Sequence, residues 1–220
     1  MRKLRTIVIG MLALAAVPSI GRAQESRLFT DAWFWGAKAG AMTFSTTRVA
    51  HQTAPTIGAE WLLTRKKGGL YIAFDQATFT AHSTFHNFET NSTGKVQYAG
   101  DGEARIRNMQ RVTFQGMVFP KEYGSFRPYA GAGFAVNFLG HTRQSAGPVT
   151  SLSDSSLRDV SSNAAPILTL GTQYSLRRLS VFGQGSYMPA VGHFLINSNE
   201  TYYLEGGVRY NIGTSIDRPR

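Results

Sequence analysis

The sequence predicts an all-β fold, an eight-stranded antiparallel up-and-down transmembrane β-barrel, and three observations carry that prediction. Eight stretches alternate apolar and polar residues with a period of two. The gaps between them alternate strictly between short and long. Charged residues make up only 16% of the chain, against roughly 25% for an ordinary soluble domain.

The eight strand candidates run at 31–46, 54–64, 68–82, 104–119, 126–141, 164–176, 179–190 and 201–213. Each is long enough for the roughly 9–11 tilted residues that carry a β-strand across a bilayer. The first and fifth alternate weakly, because Gly and Ala occupy both faces; Gly inside a strand marks a bulge or tight curvature, which a small barrel needs. In the second, Ile57, Ala59, Trp61 and Leu63 oppose Thr56, Gly58 and Glu60. In the fourth, Val112, Phe114 and Val118 oppose Arg111, Thr113 and Gln115. In the eighth, Tyr202, Leu204, Val208, Tyr210 and Ile212 oppose Glu205, Arg209 and Asn211. This split predicts a lipid-facing wall and a polar interior.

Short gaps fall at Arg65-Lys66-Lys67-Gly68, 120–125 and 176–178; longer polar ones fall at 47–53, 83–103, 142–163 and 191–200. Long extracellular loops alternating with short periplasmic turns are the rhythm of a bacterial barrel, and eight strands return the chain to the side on which it starts. The first residues fit the same setting. Arg2, Lys3 and Arg5 precede an apolar run at 7–17 and a small-x-small site, Gly21-Arg22-Ala23. That pattern predicts a signal peptide over 1–23, a barrel over 24–213 and a tail over 214–220. No apolar stretch is long enough for a membrane-spanning helix.

Cysteine is absent, which excludes a disulfide framework, a thiolate metal site and a lipid-anchored cysteine. The net charge of +10 includes Arg2, Lys3, Arg5 and Arg22; without them 19 basic residues stand against 13 acidic. The basic residues are scattered, with no basic helix or aromatic platform, so no nucleic acid is expected. Outer-membrane lipids and lipopolysaccharide are the expected anionic partners.

The expected interior set is Lys38, Glu60, Asp75, Arg107, Arg111, Glu205 and Arg209, with Gln115, Gln173 and Gln184 beside them. Charges inside so narrow a barrel must be paired or hydrated, and eight strands leave room for little besides side chains. A structural network that plugs the lumen is therefore expected, with Glu60 or Glu205 pairing an interior arginine. Aromatic girdles are expected where the wall meets the headgroups. Trp33, Phe34, Trp35, Phe119, Phe126, Tyr129, Tyr174 and Tyr210 are assigned to the periplasmic rim; Phe44, Phe79, Phe138, Tyr187 and Tyr202 are assigned to the outer rim.

Trp35-Gly36-Ala37-Lys38-Ala39-Gly40, Arg127-Pro128-Tyr129-Ala130-Gly131-Ala132-Gly133-Phe134 and Gly206-Gly207-Val208-Arg209-Tyr210 resemble the small bacterial outer-membrane β-barrels. That group includes the membrane domain of outer-membrane protein A and the outer-membrane protein W-like barrels. The resemblance spans essentially the whole chain after the leader. It implies insertion by the outer-membrane assembly machinery, outer-membrane localisation in a Gram-negative bacterium and a monomeric state. Many relatives end on an aromatic residue that this machinery reads, whereas here residues 213–220 follow the last strand.

No catalytic residue, metal or cofactor is expected. A lipid A deacylase pattern needs a serine two residues after a histidine, but His193 is followed by Leu195 there. Ser198 and Glu200 lie at the wrong spacing for a strand face, despite the suggestive distance of Glu205. His51, His82, His86, His141 and His193 fall in or beside loops; the four-residue spacing of His82 and His86 suits a metal only on a helix. The expected function is non-enzymatic, an envelope-structural or surface-interaction role. The alternatives are a narrow porin-like channel for small, including apolar, solutes and a soluble lipid-binding barrel.

Overall fold

The computed structural model describes residues 29–150, 152–190, 194–196 and 200–214. The leader expected over 1–23, residues 215–220 of the expected tail, His193 and Ser198 lie outside the described residues. The elements are β1 (Ala32–Phe44), β2 (Gln52–Thr64), β3 (Gly68–Thr90), β4 (Val96–Val118), β5 (Phe126–Gly140), a four-residue β6 (Arg143–Ala146), the helix α1 (Ser153–Asp159), β7 (Ser162–Leu176), β8 (Leu179–Met188) and β9 (Thr201–Thr214).

Sequence neighbours pair antiparallel around the wall, β1 pairs with β9, and β3 pairs with β4, so the barrel wall closes on itself. Closure with β6 set aside makes an eight-stranded barrel. Every side chain on one face of each wall strand points inward and the next outward, the period of two that a strand imposes. No helix among the described residues is long and apolar enough to cross a membrane, which says nothing of strands.

Strand limits agree with the sequence reading to within two residues except in one hairpin. Residues 83–103, expected as a loop, are mostly strand: β3 runs on to Thr90 and β4 begins at Val96. The ribbon continues past the last rung with β2, at Thr56↔Ala77, and with β5, at Asn108↔Gly140. β6 adds a few rungs to its β4 side, at Glu103↔Ala146, Ala104↔Gln144 and Arg105↔Arg143. Above the barrel wall no lipid demands an apolar face, so the ribbon is polar in composition and lacks the apolar alternation of a wall strand.

The ribbon also holds an irregularity. Between Thr78/Ala81 of β3 and Asn108/Ile106 of β4 the pairing slips by one residue. Two residues, Phe79 and Thr80, then oppose Arg107 alone, which is the arrangement of a β-bulge. The inward face of β4 changes from odd positions (Met109, Arg111, Thr113) to even ones (Ile106, Ala104) across this point.

The wall's outer face is apolar: Leu204 is 73% exposed, Leu170 69% and Ile57 65%, with Phe74, Phe134, Leu168, Val181, Val208 and Ile212 also exposed. The interior is stacked in three levels. At the end of the short turns an apolar cluster joins Phe29, Phe34, Leu62, Tyr71, Met117, Phe119 and Tyr129. At the loop end a larger one joins Met42, Phe44, Phe79, Ile106, Met109, Ile167 and Met188 with Leu157 of α1 and Phe194, Leu195 and Ile196 of the β8–β9 connection. Charged side chains lie between them.

Candidate functional site

Parity along each strand decides which residues reach the middle of the lumen. β1 sends Lys38 inward, β2 Glu60, β3 Asp75, β4 Arg111, and β9 both Glu205 and Arg209; all six are buried. They form two connected groups. Lys38 Nζ lies 2.9 Å from Asp75 Oδ1 and 3.0 Å from Glu205 Oε2. Arg111 Nη2 donates to Asp75 Oδ2 at 2.6 Å and to Glu205 Oε1 at 3.1 Å. In the second group Arg209 Nε pairs with Glu60 Oε1, and Arg209 Nη1 donates to Gln173 Oε1 at 2.8 Å.

Polar uncharged side chains join the groups. Gln184 Nε2 donates to Glu205 Oε2 at 3.1 Å and to the Tyr71 hydroxyl at 3.2 Å, and that hydroxyl donates to Glu60 Oε2 at 2.9 Å. Tyr129 donates to Gln184 Oε1 at 3.0 Å. Gln115 donates to Thr169 Oγ1 at 2.9 Å, beside Ser186. The guanidinium planes also stack: Arg111 lies 3.7 Å over the Tyr203 ring and Arg209 3.9 Å over Phe182. Three cations and three carboxylates make the level formally neutral. The sequence reading grouped these six with Gln115, Gln173 and Gln184; the fold joins Gln173 and Gln184 to them, while Gln115 bonds Thr169 apart from the charges.

Arg107 is a correction. It is exposed on the outer face of the ribbon, because the bulge opposite Phe79 and Thr80 turns β4 by one residue between Met109 and Ile106. Five aromatic placements are also corrected, since these side chains face inward. Phe119 and Tyr129 pack in the turn-end cluster with Phe34, and Phe44 in the loop-end cluster; Phe79, at the bulge, also belongs to the loop-end cluster. Tyr129 turns in across Gly171, its register partner on β7, where a Cβ would stand 2.5 Å from the ring. On the outer face, Trp35, Tyr202 and Tyr210 are exposed and Trp33, Tyr174 and Tyr187 partly so. Trp61 stacks on Trp35 at 5.8 Å and meets Trp33 edge-on at 5.1 Å, while Tyr187 meets Tyr202 at 5.4 Å.

The residues missed by sequence reasoning are those that close the loop end. Asn87, fully buried on β3, donates to Pro148 O at 2.5 Å and to Ser153 Oγ at 2.9 Å, and Thr150 Oγ1 donates to Phe88 O at 2.6 Å. These bonds hold α1 over the mouth so that Leu157 points in. Leu195 N donates to Val160 O at 3.3 Å, tying the β8–β9 segment to the helix. The one sequence signal was the apolar triplet Phe194-Leu195-Ile196 inside a polar loop.

On the ribbon's outer face, Asp101 Oδ1 accepts from the Tyr98 hydroxyl at 2.8 Å and lies 2.7 Å from His86 Nδ1. The Tyr98 bond, then the His86 bond, hold the Asp101 carboxyl below its usual range, and the same Asp101 bond raises the Tyr98 phenol. His51, His82, His86 and His141 are all exposed. Among the described residues no three His, Asp or Glu side chains gather as a metal site.

No family model and no curated protein matches the chain. Among solved structures, the crystal structure of neisserial surface protein A is similar at a TM-score of 0.52 and 12% identity. The match covers 82% of this chain and 97% of that one. The attachment invasion locus protein of Yersinia pestis, Ail, matches at a TM-score of 0.48 and 9% identity over 83% of this chain and 99% of that one. The chain therefore has the fold of a small, closed eight-stranded antiparallel barrel, the architecture that neisserial surface protein A shares over nearly its whole length.

Proposed function

We propose that the chain is an integral barrel of a bacterial outer membrane with a non-enzymatic envelope or surface-interaction role, its lumen plugged by its own side chains. The observation that carries this reading is the polarity of the wall: Leu, Val, Ile and Phe outward, six paired charges inward. In water that arrangement would expose a continuous apolar belt and bury ions, both unfavourable. In a bilayer lipid covers the belt, and the pairing of the ions offsets their burial in either medium. A soluble lipid-binding barrel requires the opposite polarity.

The channel reading is disfavoured by how the lumen is filled. The charge level spans the bore, and the two apolar clusters close it above and below. With the bore filled, the surfaces left for a partner are the ribbon of β3 and β4, β6 and α1, which stand outside the wall at the loop end. Outer-membrane lipids and lipopolysaccharide surround such a barrel, and insertion falls to the outer-membrane assembly machinery.

The test is carbonate-washed membrane fractionation of the expressed protein, run on gels with and without boiling and followed by planar-bilayer recording. Retention in the outer-membrane fraction, a heat-dependent mobility shift and no unitary conductance are the expected results. Release into the soluble fraction contradicts the membrane reading. Steady conductance contradicts the plug.

A further inference from the structure

The turn end carries an excess of positive charge. Arg65, Lys66 and Lys67 occupy the β2–β3 turn, Lys121 the β4–β5 connection, and Arg177 and Arg178 the β7–β8 turn; Asp31 and Glu122 are the acidic residues beside them. Solubility of a turn asks only for polar residues, so six cations at one rim have electrostatic consequence.

Two of these turns enclose a cleft. Phe119 N donates to Lys67 O at 2.8 Å, fastening the β2–β3 turn against the start of the β4–β5 connection. The cleft holds about 270 Å³ and is lined by Phe29, Phe119 and Pro120 below Lys66, Lys67, Lys121, Glu122 and Arg127. Four cations and one carboxylate leave it a formal charge of +3. No carboxylate of the described residues pairs with Lys66, Lys67 or Lys121.

Arg127 is the independent observation. Its side chain is only 4% exposed, and its orientation is fixed: the guanidinium stacks 4.1 Å over Phe29 while Nε and Nη2 donate to Glu122 at 2.9 and 2.6 Å. The third nitrogen, Nη1, has no hydrogen-bond partner among the described residues. A buried donor left unpaired costs free energy, and Arg127 is one of the residues lining this cation-rich cleft. A held guanidinium among mobile ammonium groups is the combination that recognises phosphate oxygens.

We infer that the turn-end cleft binds a phosphate group, with Arg127 as its fixed donor and Lys66, Lys67 and Lys121 as its charged rim. Phospholipid headgroups ring the turn end of a membrane barrel, and a soluble phosphate ester carries the same chemistry. The inference rests on the outer-membrane reading.

The test uses the full barrel folded in an uncharged maltoside detergent, titrated calorimetrically with inorganic phosphate and separately with short-chain phosphatidylglycerol. A Lys66→Gln/Lys67→Gln/Lys121→Gln variant is compared with Arg105→Gln/Arg107→Gln/Arg143→Gln at the loop end, which removes the same charge elsewhere. These lysines lie on exposed turns, so both variants keep the heat-dependent mobility shift that reports a closed barrel; loss of that shift in the wild-type protein contradicts the barrel reading instead. Saturable binding that weakens by about tenfold or more in the turn-end variant only is the expected result, since charge-assisted contacts are the strong ones. Binding of phosphatidylglycerol without inorganic phosphate assigns the lipid source, and comparable binding of both assigns a soluble phosphate. Absence of saturable binding, or equal weakening in both variants, overturns the inference.

Discussion

At mid-height the lumen is filled by three cations and three carboxylates, while at the loop end the same bore is filled by methionines, phenylalanines and aliphatic side chains. The two regions differ in what their parts require. Each charge at mid-height needs a particular partner: Arg209 needs Glu60, and Lys38 needs Asp75 and Glu205. Each apolar side chain at the loop end needs only volume and dryness, so Leu157 from a helix and Phe194, Leu195 and Ile196 from a loop can join strand residues there. Mid-height should therefore respond sharply and non-additively to substitution, and the loop end in a graded way. Loss of one ion-pair partner leaves an uncompensated buried charge; loss of one methyl group leaves a small cavity.

The largest expected effect is at Arg209. Arg209→Met strands Glu60 beneath Tyr71 and removes the partner of Gln173, and it should cost about 3–5 kcal/mol of stability, read as a lower temperature for the loss of the heat-dependent gel shift. Leu157→Ala should cost about 2 kcal/mol, the low end for a buried leucine, because α1 belongs to the cap and not to the wall. Its bilayer trace should stay silent, since the charge level lies below the cap; conductance in this variant would make the cap, and not the ion pairs, the seal. Gly171→Ala sharpens the comparison within the polar level. The added Cβ meets the Tyr129 ring at 2.5 Å and should cost about 1–2 kcal/mol by overpacking, with a change in near-ultraviolet dichroism as Tyr129 leaves Gln184.

The smallest effect lies on the ribbon outside both regions. Asp101 is held below its ordinary value of 3.8, so its contribution is present above that pH and is lost as pH falls through the folded value. Tyr98 is raised above 10.0, so its contribution is present below that pH and is lost as pH rises through the folded value. Tyr98 fluorescence should change at both pH extremes while the gel shift does not. Asp101→Asn should abolish the acid change and bring the alkaline change to lower pH, because the Asp101 bond is also what raises Tyr98.

How much of this was legible in the sequence follows the same division. Strand number, the rhythm of turns and the limits of six strands follow from alternation, because a lipid face and a polar bore impose a period of two. Once parity is set, Lys38, Glu60, Asp75, Arg111, Glu205 and Arg209 necessarily share one interior. Arg107 escapes that rule, because a bulge changes parity without altering composition. The ribbon at 83–103 reads as a loop, since nothing apolar covers it. Aromatic residues near strand ends suggest a girdle wherever they face, and only parity separates Trp35 from Phe34. The cap is illegible for another reason: α1 is placed by Asn87 and the Phe88 carbonyl of a distant strand and Leu195 by the Val160 carbonyl, and no local periodicity records that.

The central claim is that mid-height charges hold the barrel closed as mutually dependent pairs. A double-mutant cycle over Glu60→Gln and Arg209→Met, read as thermal unfolding in detergent with bilayer recording on each variant, tests it most directly. The account predicts that each single change is strongly destabilising and that the double variant is less destabilised than the two effects added, by about 1 kcal/mol or more. Additive effects, with no coupling between the two positions, would contradict it.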